Sequence, residues 1–381
     1  MSLSALQLGL YLGKGFPTRA PQSIVNAVQQ VSVEHGEQAG GQGFSITFRA
    51  EQGSLAAQDY ALLTEFLLKP GSRVVITVTL NATPQVLMDG IISQIQLSPS
   101  QGNQAGTITV TGRDIGMLLD LVDINVPVPI PGVTGAVAFL LAKYAPLGLI
   151  PEIIPPMKEV IYAPTERLRF QNGTDLQYLT SLANENGYIF AIKPGPMPGI
   201  SHAYWGPLVK IGLPQKALSI NMENRTNVES ISFDYDALKP VQVYGMIADP
   251  EVPVPIPLLS LASINPPPLA SQSPFLVNQP YLKKKRVKYE GTDAIEAYVQ
   301  TQSSVDQSAE SVVSVSGTLN ALRYGDILRA PGIVGLRGAG TAHDGLYYVK
   351  TVSHTISKSQ YQQSFTLGRE ALGTLVSKVR V

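Results

Sequence analysis

Hydrophobic and polar residues alternate along several stretches of the first third of the chain. Residues 45–48 alternate strictly, and residues 73–80 alternate around a doubly apolar centre. Because successive side chains of a β-strand point to opposite faces, this pattern predicts strands with one buried face. Gly-rich residues at 40–41 and Gln-rich residues at 98–106 predict turns between such strands. Residues 1–120 are therefore expected to form a β domain.

One helix is defined by the sequence at both of its ends. Thr174 is a typical N-cap, Gln177 completes a capping box with it, and Gly187 suits the left-handed residue that ends a helix. Apolar residues recur every three or four positions between these ends, which gives the helix one buried stripe. Residues 188–192 then read as a strand. This part of the chain is therefore predicted to be mixed α/β.

Weaker helical spacing of apolar residues is found at 57–68, 134–144 and 292–302. Together with the strand patterns, it predicts three domains. The first β domain, at 1–120, is followed by a mixed α/β domain at 121–227. A second β domain is expected at 228–381, with a Pro-rich insertion at about 250–280.

The sequence Val-Pro-Val-Pro-Ile-Pro occurs twice, at 126–131 and 252–257. Alternating prolines disfavour helices and remove backbone donors, so both copies are predicted to be extended, polyproline-like connectors that break regular structure. Two roles remain open for them. Each is either a stiff linker or an apolar loop that docks on a neighbouring protein.

A set of turn and strand residues occurs twice, about 250 residues apart. The markers of the two copies are Gly71, Asp89, Gly90, Gly112, Arg113 and Asp114, and then Gly325, Asp344, Gly345, Gly368, Arg369 and Glu370. The main glycines are 19 and 22 residues apart in the first copy and 20 and 23 in the second. This pattern predicts one β module used twice in a chain. Such a duplication lets an odd number of subunits present twice as many equivalent positions, which favours an assembly component over an enzyme.

The two copies are out of phase by one residue. The apolar residues before Gly112 lie four and two positions upstream, whereas those before Gly368 lie three and one positions upstream. A β-bulge in one copy would restore the phase. The alternative is coincidence, since Asp-Gly and Gly-Arg are common turn pairs.

Composition narrows the class of protein. The chain has 381 residues, of which 44% are hydrophobic and 15% charged, and its formal net charge is +0. The hydrophobic fraction is large enough to bury a core. The low fraction of charged residues indicates either a surface covered by partners or one rich in Ser, Thr, Gln and Asn. A net charge of zero argues against nucleic-acid recognition. The one basic run, 283–288, is read as a solvated strand edge, with a polyanion contact as the weaker alternative.

No catalytic or cofactor site is expected. The chain has no cysteine, its four histidines are scattered, and the Gly-rich residues 335–340 lack the Lys-Ser/Thr of a phosphate-binding loop. Asp89 and Asp344 stand in Asp-Gly turns, where a carboxylate usually binds nearby backbone amides. The absence of cysteine fits folding in a reducing cytoplasm, and no signal peptide or membrane span is expected.

Residues 170–190 resemble a segment shared by the spike proteins of type VI secretion systems and late control protein D of phages. In that family a polar residue starts an Asp-Leu-x-x-Leu helix that ends in Gly before an aromatic strand. Residues 111–114 resemble the end of the family's first barrel, and residues 292–294 and 368–370 resemble its last third. The order of β, α/β and β domains covers nearly the whole chain.

This resemblance implies a mainly β fold with an α+β middle, in which two tube-like antiparallel β-barrel domains flank the mixed α/β domain. It implies a baseplate hub of a contractile injection system, built in the cytoplasm as part of a phage tail or tail-like particle. Three chains would form a homotrimer with pseudo-sixfold symmetry, joining the hexameric inner tail-tube protein to a central spike, among other baseplate proteins. Type VI spike proteins continue into a β-helix, whereas this chain stops at Val381, so a separate spike protein is expected.

Two other functions compete with that of a structural hub. A carbohydrate-binding or adhesin-like protein at a particle tip would need clustered aromatics, and the chain has 7% aromatic residues and one tryptophan, Trp205. A tail-associated hydrolase would need a paired-carboxylate or histidine site, which the sequence does not assemble. Both are therefore less favoured than a structural hub.

Overall fold

The computed structural model describes residues 6–50, 68–99, 106–159, 161, 169–249, 252, 254–264, 267–290 and 292–376. The helix predicted at 57–68 lies outside these residues except for its last position, and so does most of the turn predicted at 98–106.

The described part of the chain is mainly β, as predicted. Its first part, here called the first β module, consists of β1 (Leu6–Gly13), β2 (Thr18–Arg19), α1 (Gln22–Ala27), β3 (Val28–Gly36), β4 (Gly43–Ala50), β5 (Arg73–Leu80), β6 (Thr83–Ser98) and β7 (Gly106–Asp114). The middle domain consists of β8 (Ile124–Val128), α2 (Val133–Ala142), β9 (Leu149–Ile153), β10 (Arg169–Gly173), α3 (Asp175–Glu185), β11 (Tyr188–Pro194) and β12 (Ser201–Pro207).

A second β module follows, and an α/β insertion interrupts it. The module consists of β13 (Gln215–Ser219) and β14 (Val228–Tyr235), followed after the insertion by β18 (Val313–Asn320), α6 (Ala321–Tyr324), β19 (Gly332–Arg337), β20 (Gly345–Ser357) and β21 (Tyr361–Arg369). The insertion consists of β15 (Val241–Ala248), β16 (Ile256–Ser260), α4 (Pro274–Val277), β17 (Lys283–Glu290) and α5 (Ala294–Ala309). Short 3-10 helices are found at Ile115–Asp120, Ala145–Leu147 and Glu223–Arg225.

The strands of both modules belong to one large sheet. The first module has the order β3-β4-β7-β6-β5-β1-β2, and the second has the order β14-β18-β21-β20-β19-β13. All neighbours within the modules are antiparallel except β13 and β19, which are parallel. Among the described residues this pairing path is open, so the large antiparallel sheets are present without a closed barrel.

The alternating patterns form strands because one face of each strand is buried. In β4, Phe44, Ile46 and Phe48 are buried and the residues between them are not. The core of the first module also takes in Ile356 and Tyr361 from the second module. The two modules therefore share part of one core.

The two proline-rich segments were expected to break regular structure, and this expectation was wrong for part of each segment. Residues 126–128 belong to β8, which pairs with β10, and Ile256 and Pro257 begin β16, which pairs with β15. Both β8 and β16 are edge strands, where a proline without an N–H group leaves no ladder donor missing on the free side. The prolines therefore allow these strands to form, but only at the edge of a sheet.

Candidate assembly interface

The two β modules are joined strand to strand. The second half of β20 pairs with β3, with Val352 opposite His35 and Ile356 opposite Val31. On its other edge, β20 pairs with β21 over its length. The junction is thus an ordinary antiparallel ladder within a continuous sheet, although its two strands are more than 300 residues apart in sequence.

Two buried histidines face each other at this junction. The rings of His35 and His354 are 5.3 Å apart in an edge-to-face arrangement. The side chain of Gln42 lies 3.3 Å from His35 Nδ1, and the hydroxyl of Tyr361 lies 2.8 Å from His354 Nδ1. Burial lowers the pKa of His35 to about 4 and the pKa of His354 well below its usual value. Both rings are therefore neutral near pH 7.

Acid is expected to weaken the fold through this pair. A histidine whose pKa is lowered in the folded state contributes stability above its unfolded pKa of about 6.5, and this stability is lost as the pH falls towards 4. For His35 the loss is about 3 kcal/mol. The groups facing the pair are the side chains of Gln42, Gln363 and Tyr361 and the backbone of Leu87. The positive charge of the Arg329 guanidinium opposes protonation further.

The measurement is urea unfolding of wild type and His35→Gln at pH 7.5, 6 and 4.5. Burial raises the pKa of Asp114 and of Glu310 to about 7, and both carboxyls favour the folded state in acid over the same range. Because both proteins contain these two carboxyls, the quantity to compare is the difference in free energy of unfolding between wild type and variant at each pH. The gap in free energy of unfolding between wild type and variant should move in favour of the variant as the pH falls, and an unchanged gap would contradict the assignment.

The equivalent strands of the two modules have the same order along the chain and in the sheet. The second module has no counterpart of β2, and β13 is parallel to β19 whereas β1 is antiparallel to β5. The two modules also have β-bulges at matching places. Gln29 is the extra residue of β3 and Glu229 that of β14, and Ser93 is the extra residue of β6 and Lys350 that of β20. Bulges are specific features of a sheet, so two matched pairs make β3 equivalent to β14 and β6 equivalent to β20.

This equivalence explains the one-residue offset in the sequence. Across from the matching bulges, Thr111 of β7 corresponds to Thr366 of β21. Gly112 then corresponds to Leu367, and Arg113 to Gly368. The buried faces of β7 and β21 are in phase without a bulge in either strand. The extra residues lie in the neighbouring strands instead, and the common origin of the modules stays a prediction.

The other sequence markers coincide only in part. Gly71 and Gly325 both have a positive φ, +85° and +73°, in the turns that precede β5 and β19. Asp89 and Gly90 lie inside β6, whereas Asp344 and Gly345 lie at the start of β20. The repeat is therefore carried more by strand order and bulges than by individual markers.

Asp89 belongs to a buried ion pair that ties the first module to the middle domain. Arg73 donates from Nε and Nη2 to the two carboxylate oxygens of Asp89, both at 2.7 Å. The same guanidinium donates to the carbonyl oxygens of Leu147 at 2.8 Å and Gly199 at 3.0 Å. The expectation that Asp89 stands in an Asp-Gly turn was wrong, because it lies inside β6. No local motif in the sequence marks its partner Arg73.

The markers at the end of the second module hold its loops. Arg369 is fully buried, donates to the carbonyl oxygens of Ala342, Asp344 and Ala371, and stacks on Tyr347 at 4.4 Å. Glu370 accepts hydrogen bonds from the backbone N–H groups of Leu269 and Ala270, which belong to the insertion. The carboxylate of Asp344 accepts from Ala339 N at 2.7 Å. These three residues therefore have structural partners.

The capped helix α3 connects the middle domain to the insertion. The hydroxyl of Thr174 accepts from Gln177 N, and the Gln177 side chain accepts from Thr174 N. Gly187 follows the helix with φ +68°. Near this end, Ser303 of α5 donates to Asn184 O at 2.6 Å.

Several strand edges have no partner among the described residues, and two of these edges belong to the strands that are equivalent to β3 and β20. These two are the outer edge of β14 and the outer edge of β6 over residues 94–98, beyond its pairing with β5. Each strand has one polar and one partly apolar face. Ser232 and Asp234 are exposed on β14, as are Gln96 and Ser98 on β6, and the residues between them are more buried. Free edges of this kind are templates for pairing with another chain.

The described residues contain no group of three or more His, Cys, Asp or Glu side chains placed to hold a metal ion. In the same part of the chain, no helix combines the length and apolar character needed to cross a bilayer.

Comparison with known proteins shows the fold. No family model matches the chain, and no curated protein matches its sequence. It is similar to the tail protein of Neisseria meningitidis MC58, with a TM-score of 0.63 and 14% identity over 96% of this chain and 97% of that one. The 43 kDa tail protein of prophage MuSo2 from Shewanella oneidensis gives a TM-score of 0.64 and 12% identity, over 97% and 100%.

A component of the type VI secretion system of E. coli, described as structurally similar to tail proteins of bacteriophage T4, gives a TM-score of 0.52 and 11% identity. The match covers 93% of this chain and 77% of that one. The chain thus has the fold of phage tail proteins and of a type VI secretion component. The resemblance inferred from the sequence is confirmed at the level of the fold.

Proposed function

We propose that this protein is the structural hub of the baseplate of a contractile tail or injection particle. Three copies form a pseudo-sixfold ring that joins a hexameric inner tube to a trimeric spike. The observation that carries the proposal is the β20–β3 junction, which links two equivalent modules edge to edge. A tail-protein fold supports a role in such a particle.

The junction within one chain provides the geometry for a junction between chains. Since β6 is equivalent to β20 and β14 to β3, the free edge of β6 can pair with β14 of the next chain as β20 pairs with β3. The matching bulges fix the register. Thr351 pairs with Gly36, so Gln94 should pair with Asp236 of the neighbouring chain. Because the strands are antiparallel, each later residue of β6 should pair with a residue one position earlier in the neighbour.

In this register the faces of the two strands match. Leu97 meets Phe233 of the neighbouring chain, and Ile95 meets its Tyr235. On the other face, Gln96 meets Asp234 and Ser98 meets Ser232, all four of them exposed in the single chain. A slip of one residue would set polar side chains against apolar ones, so the register is strongly specified.

Repeating this contact around a threefold axis would give a closed ring. The contact joins two different edges of the chain, so it is heterologous and forms a ring when its rotation closes. Three chains supply six modules, the number that matches a hexameric tube. We also infer that each module closes around its core as a tube-like barrel, and that a separate spike and other baseplate proteins complete the particle.

The exposed face of the eight strands from β14 to β6 would line the ring. It carries mainly hydroxyl and amide side chains, and several of them bond to each other, as do Ser230 with Thr318 at 2.7 Å and Ser232 with Ser316 at 2.8 Å. Such a face supplies polarity with few charges. It accounts for the low charged fraction of the chain without requiring that all of its surface be covered.

An engineered disulfide tests the register directly, because the chain has no cysteine of its own. Gln96→Cys with Asp234→Cys should give covalent dimers and trimers under mild oxidation, since directly opposite residues of antiparallel strands have Cα atoms about 4.5–5.5 Å apart. The readout is the band pattern on a non-reducing gel, with the mass in solution measured by light scattering.

The matched control is Gln94→Cys with Ser232→Cys, which lies on the same face but four residues out of register. It should not cross-link. A chain that stays monomeric with and without tube and spike proteins would overturn the hub. A trimer in which the control cross-links as well as the test pair would overturn only the register.

A further inference from the structure

The insertion in the second module is a separate α/β unit. The six residues 37–42 connect β3 to β4 in the first module, whereas residues 236–312 connect the equivalent strands β14 and β18. The insertion forms a three-stranded sheet of order β16-β15-β17, with β15 antiparallel to β16 and parallel to β17. This sheet has no counterpart in the first module.

One face of this sheet is fully used inside the chain. Val243 and Ile247 of β15 and Leu258 of β16 are buried, together with Ala297 and Val305 of α5. Helix α5 in turn contacts the middle domain at two places. Glu296 of α5 forms an ion pair with Arg169 at 3.0 Å, and Ser303 donates the hydrogen bond to α3 described above. The middle domain, α5 and the sheet are thus stacked in that order, and the sheet turns its other face away from the chain.

That other face, here called the front face, is partly apolar. Tyr244 is 44% exposed, Met246 42% and Leu259 60%. The register places Tyr244 opposite Leu259 and Met246 opposite Pro257, which is also exposed. These four side chains form a continuous apolar strip across β15 and β16. Tyr and Met are enriched at the centres of protein interfaces.

A basic row runs beside the apolar strip. Lys284, Arg286 and Lys288 alternate along β17, and the register places Arg286 beside Tyr244 and Lys288 beside Met246. Lys288 forms an ion pair with Glu290. Within the described residues, no carboxylate pairs with Lys284 or Arg286. The front face therefore offers two free positive charges next to an apolar strip.

We propose that the front face docks an acidic, partly apolar polypeptide segment of another protein of the particle. The positive charges call for carboxylates in the partner, and the apolar strip calls for hydrophobic side chains between them. The outer edges of β16 and β17 are also unpaired in the described residues, and a polypeptide can satisfy such edges whereas a lipid surface cannot. Only one part of this proposal rests on the proposed hub function, namely that the partner is another protein of the same particle.

The test uses a photo-cross-linking amino acid in cells that assemble the particle. p-Benzoylphenylalanine replaces Tyr244, and the cross-linked peptide is identified by mass spectrometry. The charge variant is Lys284→Glu with Arg286→Glu. Its matched control is Lys283→Glu with Lys285→Glu, which makes the same change of net charge on the same strand but on the opposite face. Circular dichroism checks that both variants fold.

The expected product is a cross-link to an Asp- and Glu-rich segment of a second protein, reduced about tenfold in the front-face variant and unchanged in the control. Equal reduction in both variants, or no product in assembled particles, would overturn the proposal. Flotation with phosphatidylglycerol vesicles that the front-face variant abolishes would overturn it in favour of a membrane. The disulfide test of the ring is independent, since positions 96 and 234 lie outside the insertion.

Discussion

Two carboxylates introduced on the free edge of β6 are expected to prevent ring formation while leaving the single chain folded. Gln96→Asp and Ser98→Asp would face Asp234 and Ser232 of the neighbouring chain in the proposed register. Like charges on directly opposite strand positions cost up to about 1 kcal/mol per pair. Three interfaces per ring bring the loss to about 3 kcal/mol, which is more than a hundredfold in the assembly constant.

The measurement is the mass in solution across a dilution series, by light scattering or native mass spectrometry. Both positions are exposed in the single chain, so the far-ultraviolet dichroism and the thermal midpoint should stay the same. Gln96→Lys is the control of opposite charge and should keep the trimer, because it faces Asp234. Adding Asp234→Lys to the disruptive pair should restore assembly. Disruption by both charges alike would mean that β6 does not meet β14.

Removal of Arg73 is expected to give the largest loss of stability of any single substitution considered. Arg73→Met leaves Asp89, which is 2% exposed, with a hydrogen bond from the Ser201 hydroxyl at 3.3 Å but without its counter-charge. It also removes the donors to Leu147 O and Gly199 O. Breaking one side of a buried ion pair costs about 3–5 kcal/mol. The first unfolding transition in urea should therefore shift to lower concentration, and the middle domain should become more sensitive to proteolysis.

The double variant Arg73→Met with Asp89→Leu separates the ion pair from the carbonyl contacts. It should recover part of the stability, because an apolar pair replaces the unpaired charge, but the two carbonyl oxygens remain without their donor. Lys288→Met, which breaks the exposed ion pair with Glu290, should have little effect on unfolding. If Arg73→Met were no more harmful than Lys288→Met, the ion pair would not be what holds the middle domain to the first module.

The proposed hub explains the composition in a way that the sequence left open. The low charged fraction indicated either a surface hidden by partners or one made of uncharged polar residues. The structure supplies the second feature on the exposed face of the large sheet. It also leaves two surfaces for partners, the free strand edges and the front face of the insertion. The basic run at 283–288, which the sequence predicts to be a solvated strand edge, lies in β17, an edge strand of the insertion sheet.

The sequence by itself determined the strands and the helix whose signals come from residues close to each other along the chain. The alternation at 45–48 and 73–80 lies in β4 and β5, and the pattern from Thr174 to Gly187 lies in α3 and its two ends. Such features follow from side-chain periodicity and from bonds between residues three or four positions apart. The sequence also predicted a repeated β module from its turn residues, although several of these markers do not fall on equivalent positions, and the common origin of the modules stays a prediction.

The tertiary structure alone decided which strands meet. The pairing of β20 with β3, the contact of His35 with His354 and the ion pair of Arg73 with Asp89 join residues that no local pattern connects. The same is true of the bulges, since an extra residue in a strand is defined only against its partner. A local signal sets the face of a strand, whereas its partner and register are set by the packing of the whole core. The candidate interface therefore followed from the fold.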